Sequence, residues 1–328
     1  FILSELNDIK DKVRSDVSGS RYGKITKGVV YSLLARMYPN AMIWNPEGGT
    51  KWQECINACD TVLGLDYILE PDWKANFAVH NENSREIIFP IVFSTEDGGN
   101  WTADMTLHYL AATITFGLNI GAWNMVCAMP GYVKEYDPTD KRLAWTFLTG
   151  AMTNPATGDT LITSHGRPLI HTVDITMKYA IDADGWGQVE QEDGARIWKW
   201  EFEKGLSGNS ENDYAIFRLA DTYLIKAEAL VRNGTDNTEA TRLVNEIRKR
   251  AFEDPAKLKT SVTLDDIYHE RRYEFAWEMT SRQDMIRFGT YLDPVPGWRG
   301  ASDPKYLLFP IPAEAIDANN NLQQNPGY

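Results

Sequence analysis

The chain has 328 residues, of which 43% are hydrophobic and 24% are charged, and its formal net charge is −13. This composition is typical of a folded globular protein with one large core or two fused lobes. The negative charge argues against a nucleic-acid partner, because phosphate binding needs a basic surface. Residues 1–10 lack the features of a signal peptide, so we expect any export signal to lie upstream of them.

Two pairs of helices are predicted, one near each end of the chain. The first pair covers residues 26–38 and 52–63, and the second covers residues 214–231 and 238–251. In both helices of the second pair, apolar and small residues recur at intervals of three and four, as on one face of a helix. Paired helices with small and aromatic residues on facing sides are typical of tetratricopeptide-like units. The sequence therefore predicts a mainly α-helical scaffold.

The region between the two pairs has a different character. Residues 86–93 predict a short buried β-segment, and residues 94–212 are rich in Gly, Asn, Asp, Thr and Trp with little periodicity. Loops and short strands held on a rigid scaffold often carry the binding site. We therefore divide the chain into residues 1–85, a loop-rich ligand lobe at 86–212 and a helical scaffold at 213–328.

A helix that begins at Thr263, with Asp266 completing a capping box, is predicted to continue to Glu278. At 100° per residue, two charged side chains, Arg271 and Glu278, fall on its apolar stripe, and Arg282 joins them if the helix runs on. Buried charges are costly unless they are paired. The pattern therefore predicts a buried ion network whose candidate partners are Asp221, Glu228, Asp284 and Arg287.

The charged residues on the apolar stripe allow two interpretations. A structural network predicts that Glu278→Ala lowers the free energy of unfolding by roughly 3–5 kcal/mol. A pair of catalytic carboxylates is the alternative interpretation of the same residues.

Metal-binding patterns are incomplete throughout the sequence. Cys55 and Cys59 share a helix face but have no third ligand nearby, and small buried hydrophobic side chains are the simpler interpretation. The Asp-Ala-Asp-Gly sequence at 182–185 hints at a Ca²⁺ loop without the full spacing. The His-Glu pair at 269–270 begins a zincin motif, but Tyr273 occupies the place of the second His. We therefore predict no catalytic metal and no cofactor, with Ca²⁺ as the one alternative.

Four ordered motifs in the C-terminal part resemble the SusD/RagB family. RLADTYLIKAEA at 218–229 is similar to the family's R-x-A-D-x-Y-L-x-x-A-E-A, and NEIRKRA at 245–251 is similar to its N-x-x-R-x-R-A. ERRYEFAWEMTSRQDMIRFG at 270–289 resembles the long Glu- and Arg-rich family segment. PIP at 310–312 and QNPGY at 324–328 resemble the family's terminal motifs.

The resemblance implies a role and a location. Family members are lipid-anchored on the outer face of the Bacteroidetes outer membrane, where they capture oligosaccharides, or in some members peptides, without cleaving them. Their partner is a SusC-like TonB-dependent transporter that imports the ligand. Because such proteins begin with a signal, a lipidated Cys and further helices, we expect Phe1 to be an internal start.

Exposed aromatic side chains in the loop-rich lobe are the best candidates for ligand contact. Sugar rings present apolar C–H faces, which aromatic platforms hold while polar side chains bond the hydroxyl groups. We predict that Trp101, Tyr109, Trp123 and Trp186 contact a glycan. A glycoside hydrolase and a helical scaffold for protein partners are the alternative functions, since paired carboxylates need not be close in sequence.

Overall fold

The computed structural model describes residues 1–17, 19–176 and 190–328. The chain forms two compact units, Phe1–Glu278 and Met279–Tyr328. Among the described residues, no helix combines the length and the apolar character needed to cross a membrane.

The predicted mainly α-helical class is confirmed. The helices of the first unit are α1 (Ile2–Ile9), α2 (Lys27–Met37), α3 (Ala41–Trp44), α4 (Trp52–Leu63), α5 (Thr102–Thr106), α6 (Pro130–Val133), α7 (Lys141–Thr146), α8 (Leu219–Asn233), α9 (Asn237–Ala251) and α10 (Leu264–Glu274). The second unit contains α11 (Ser281–Phe288) and α12 (Ala313–Ala318).

The scaffold of the first unit is a row of packed helices in which α2 contacts α4, α4 contacts α8, and α8 contacts α9 and α10. Small residues sit where these helices meet: Ala58, Ala220, Ala227 and Ala240 are all buried in one core cluster. Cys55 and Cys59 are free and buried in that same cluster, as expected for small apolar side chains. The small residues let the helix backbones approach closely, so the paired helices share one continuous core.

Short antiparallel strands lie in the loop-rich lobe and at its two ends. The strands are β1 (Ile87–Ile91), β2 (Phe147–Leu148), β3 (Gly150–Ala151), β4 (Ile170–His171), β5 (Arg196–Ile197) and β6 (Tyr214–Arg218). They pair as β1 with β6, β2 with β5, and β3 with β4.

The predicted helical start at residue 214 is wrong, because residues 214–218 form β6. Burial alternates along this segment, with Ala215 and Phe217 buried and Tyr214 and Ile216 only partly so. Strand β1 offers a pairing edge, and Phe89 stacks on Phe217 across it at 6.4 Å. A partner strand 120 or more residues away in the chain cannot be read from local periodicity, although β-branched and aromatic residues favour the strand.

Helix α10 begins as predicted and ends earlier. Thr263 and Asp266 form the full capping box. The backbone leaves the helix at Phe275, and Trp277 adopts a φ of 66°, in the left-handed region. The helical wheel that placed Arg271, Glu278 and Arg282 on one stripe therefore does not apply beyond Glu274.

The predicted ion network is confirmed for Arg271 with Asp221 and is wrong in joining Glu278 to Arg271 and Arg282. Arg271 pairs with Asp221 at 2.9 Å, and Arg36 reaches the same carboxylate at 2.6 Å. Glu278 instead binds Arg218. Arg282 belongs to the second unit, where its guanidinium donates to the carbonyl oxygens of Tyr306 and Leu307.

A larger ion cluster fills the centre of the first unit. Arg218 lies at its middle, 2.7 Å from Glu274, 2.7 Å from Glu278 and 2.9 Å from Glu86. The cluster joins five cations to five buried carboxylates. The cations are the buried Arg142, Lys199, Arg218 and Arg248 and the partly buried Arg250, and the carboxylates are Glu86, Asp140, Glu270, Glu274 and Glu278. The equal numbers of charges let a low-dielectric interior hold all ten.

Glu274 makes this cluster sensitive to acid. Burial alone would raise the pKa of Glu274, but Arg218, Arg250 and Arg142 outweigh it and lower the pKa from 4.5 to about 2. Glu274 therefore binds a proton at a lower pH in the folded protein than in the unfolded chain. The stability from this group is complete above pH 4.5 and is lost as the pH falls through the folded pKa, by roughly 3 kcal/mol in all.

We expect urea unfolding measured from pH 7 down to pH 2.5 to follow that loss. The Glu274→Gln variant, which cannot ionise at this position, should have lower stability at pH 7 and a shallower decline in acid. Parallel acid profiles for the two proteins would contradict a role for Glu274.

Candidate functional site

Three chain segments in the loop-rich lobe surround a surface cavity of about 300 Å³. They are the start of α5 and the residues before it, the segment around Asn119 to Trp123, and the turn at Gly208 and Asn209. Backbone hydrogen bonds hold the segments together. Trp123 donates to the Asp104 carbonyl at 2.7 Å, and Asn100 donates to the Ser210 carbonyl at 3.0 Å.

Two tryptophans form adjacent walls of this cavity. Trp101 and Trp123 are 53% and 51% exposed. Their ring centroids lie 5.7 Å apart with the ring planes at 86°. The indole Nε1 of Trp101 donates to Oδ1 of Asn209 at 2.7 Å, which fixes the orientation of that ring. The pair therefore offers two nearly perpendicular apolar faces to a ligand.

Residues next to the lining segments form a small apolar core. Ala103, Leu107, Leu118 and Leu206 are buried together in it. Gly99 lets the segment before α5 lie close to the turn at Gly208 and Asn209. A Cβ at this position would lie 2.4 Å from the Ser210 carbonyl oxygen and 2.4 Å from Cβ of Asn209. Packing of these segments and the hydrogen bond of Trp101 to Asn209 favour a preorganised site.

Polar side chains complete the cavity lining. They are Asp104, Asn119 and Asn209. Partial burial raises the pKa of Asp104 above its usual value. A carboxylate accepts hydrogen bonds and an amide both donates and accepts, so this set can bond the hydroxyl groups of a ligand.

The other predicted contacts lie outside this cavity. Tyr109 is 43% exposed and stacks on His108 with ring centroids 4.3 Å apart, but it does not line the cavity. Trp186 and the suggested Ca²⁺ loop at 182–185 lie outside the described residues. Across the described ranges, no group of three or more His, Cys, Asp or Glu side chains is arranged to hold a metal ion. Ligand contact by the four aromatic residues stays a prediction.

Trp101 and Trp123 were predicted from the sequence, whereas the polar lining residues Asp104, Asn119 and Asn209 were not. Asn209 follows Gly208 in a turn-like Ser-Gly-Asn-Ser sequence, which is a signal for an exposed loop and nothing more. Its bond to Trp101 spans 108 residues. No local pattern predicts such a contact.

A second, larger cavity of about 530 Å³ lies beside the cluster formed by Phe116, Trp198 and Phe202. These rings pack edge to face or tilted at 5.2–5.5 Å. All three are partly buried, so each of these rings is less exposed than Trp101 or Trp123. The Trp101–Trp123 cavity therefore has the more exposed individual rings.

Comparison with known proteins identifies the family. A family model described as the SusD family matches residues 85–328, which is most of the chain. The chain belongs to the SusD family. The starch-binding protein SusD of Bacteroides thetaiotaomicron is 26% identical, in an alignment that covers 100% of this chain and 65% of that protein. The chain thus spans less than two thirds of this SusD relative.

Solved structures of SusD-like proteins share the fold. A SusD superfamily protein from Parabacteroides distasonis matches with a TM-score of 0.75 and 20% identity, covering 100% of this chain and 68% of that one. Surface glycan-binding protein A from Bacteroides thetaiotaomicron, solved in complex with laminarihexaose, matches with a TM-score of 0.70 and 23% identity, covering 99% and 69%. The helical scaffold of this chain is therefore that of the SusD family.

Proposed function

We propose that this SusD-family protein captures oligosaccharides at the cell surface and does not cleave them. The observation that carries the proposal is the pair of half-exposed tryptophans at right angles, set among Asp104, Asn119 and Asn209. Aromatic faces with adjacent hydrogen-bonding groups suit the mixed apolar and polar surface of a sugar ring. Starch binding by the SusD relative and the laminarihexaose complex of the structural neighbour support the same ligand class.

The carboxylates of the central cluster argue against a glycoside hydrolase. Glycosidases need one carboxylic acid that stays protonated near neutral pH and a second carboxylate across the scissile bond. Glu274 is fully buried, and its pKa of about 2 keeps it ionised. Glu278 is also buried and is bound by Arg218 and Lys199. Glu274 therefore cannot supply a proton at neutral pH, and both carboxylates are buried away from a surface ligand.

The partner and the location follow from family membership and stand as part of the proposal. We infer that the protein works with a SusC-like TonB-dependent transporter and is lipid-anchored on the outer face of the outer membrane. Pull-down of the transporter by the full-length protein from detergent-solubilised outer membranes tests this part independently of ligand binding.

Affinity electrophoresis on a panel of polysaccharides, with chromatography of the recovered glycans, tests the capture function. We expect retarded migration on at least one polysaccharide with no change in its chain-length distribution. Shortened products would support the hydrolase instead. The absence of any retardation, together with a stable complex with another protein, would support the helical scaffold.

A further inference from the structure

Charge distribution around the Trp101–Trp123 cavity narrows the class of glycan that the cavity accepts. Asp104 is the one charged side chain among the described residues that line it. No described lysine or arginine lies within ion-pair distance of its carboxylate, and Asp104 is partly buried. The charge of Asp104 is therefore not neutralised locally.

The chain segments that build the cavity contain further negatively charged residues. Residues 94–125 contain the acidic residues Glu96, Asp97 and Asp104 and no lysine or arginine. Residues 203–211 contain the partly exposed acidic residues Glu203 and Glu211 against one basic residue, Lys204. A surface with several like charges repels ligands of the same sign, most strongly where a low-dielectric wall lies beside the charge.

We propose that the cavity binds uncharged pyranose units and rejects sugars that carry carboxylate or sulfate groups. This inference rests on the proposed glycan-binding function. The two indole faces hold the apolar faces of a pyranose ring, whichever sugar it is. Asp104 then accepts hydrogen bonds from hydroxyl groups, but the described lining of the cavity offers no cation to pair with an anionic substituent.

The geometry also limits how much of a glycan the cavity holds. Its volume of about 300 Å³ is at the lower end of the range for small-molecule sites. With the indole planes at 86°, a ring stacked on one tryptophan presents its edge to the other. The repulsion therefore acts on the short part of the glycan that the cavity holds, and an anionic substituent on that part weakens binding.

Matched polysaccharides test this selection. Isothermal titration at low ionic strength would compare laminarin, amylopectin and xyloglucan with sulfated laminarin, polygalacturonate and alginate. We expect binding of at least one neutral polysaccharide, and at least about tenfold weaker binding of every anionic one. Added salt should reduce the difference, because counterions screen the repulsion.

The Asp104→Asn variant tests whether Asp104 causes the discrimination between neutral and anionic glycans. The amide has the same shape without the charge, so we expect weaker binding of the neutral ligand and a smaller ratio between neutral and anionic ligands. Glu47→Gln is the control, since Glu47 is an exposed carboxylate that lies outside the cavity and outside the segments that build it. Thermal melting of both variants checks that they fold.

The outcomes separate this inference from the proposed function. Equal or tighter binding of an anionic polysaccharide would overturn the charge selection and leave glycan capture intact. An unchanged neutral-to-anionic ratio in Asp104→Asn would remove Asp104 as its cause. Binding of none of the six polysaccharides, by a protein that melts cooperatively, would overturn the inference together with the function on which it rests.

Discussion

Replacing Glu278 with alanine is expected to lower the free energy of unfolding by roughly 3–5 kcal/mol. Glu278 accepts two hydrogen bonds from Arg218, at 2.7 and 2.8 Å, and a third from Lys199. All three side chains are buried. Removing the carboxylate leaves two cations without this partner in the interior, where water cannot replace it. Burial already lowers the pKa of Lys199 to about 8, so the amine holds its proton less tightly than usual.

Chemical denaturation at pH 7 measures this effect. Glu246→Ala is the matched control, because Glu246 pairs with Lys249 at 2.8 Å on the partly exposed face of α9. Surface pairs of this kind contribute about 0–1 kcal/mol. If Glu278→Ala and Glu246→Ala shift the denaturation midpoint equally, Glu278 is not part of a stabilising buried cluster.

The second large effect concerns ligand binding. Truncating Trp101 or Trp123 to alanine should weaken binding of the best polysaccharide from the panel by about 10- to 30-fold, as for an aromatic residue at the centre of a binding site. Each truncation removes one wall of the right-angled corner. Trp101→Ala also removes the hydrogen bond that orients Asn209. The double variant should abolish measurable binding.

The chain offers two controls for this experiment. Trp44 in α3 is 55% exposed, as much as either wall, but it lies outside the cavity. Trp44→Ala should therefore bind normally. Tyr109→Ala is the second control. The sequence predicts that Tyr109 contacts the glycan, whereas in the structure Tyr109 is exposed but does not line the cavity. A stronger loss in Tyr109→Ala than in Trp123→Ala would place the site elsewhere.

Long helices with strong local signals were predictable from sequence. The helix at 52–63 has the predicted bounds, and α9 begins one residue before the predicted start at 238 and ends where predicted, at Ala251. Their apolar spacing, together with the capping box at Thr263, involves residues within a few turns of one another. Such signals depend on local backbone geometry, which the sequence specifies directly.

Elements that depend on distant partners were not predictable. Strand β6 forms because β1 pairs with it, and α10 ends at Glu274 in a turn that brings Glu278 to Arg218. The sequence correctly indicated that Glu278 needs a buried cation. It offered Arg271 and Arg282 because they are neighbours on a helical wheel, whereas the cation is Arg218, 60 residues away.

The sequence by itself determined the family, the helical class and the presence of charges that have to be paired inside the protein. Ordered motifs and periodicity carry that information, and both are properties of the linear chain. Only the tertiary structure decided which charges meet and which aromatic residues form a cavity. Trp101, Trp123 and Asn209 come together through loop packing across more than 100 residues, and a contact at that separation is set by the folded core rather than by any local pattern.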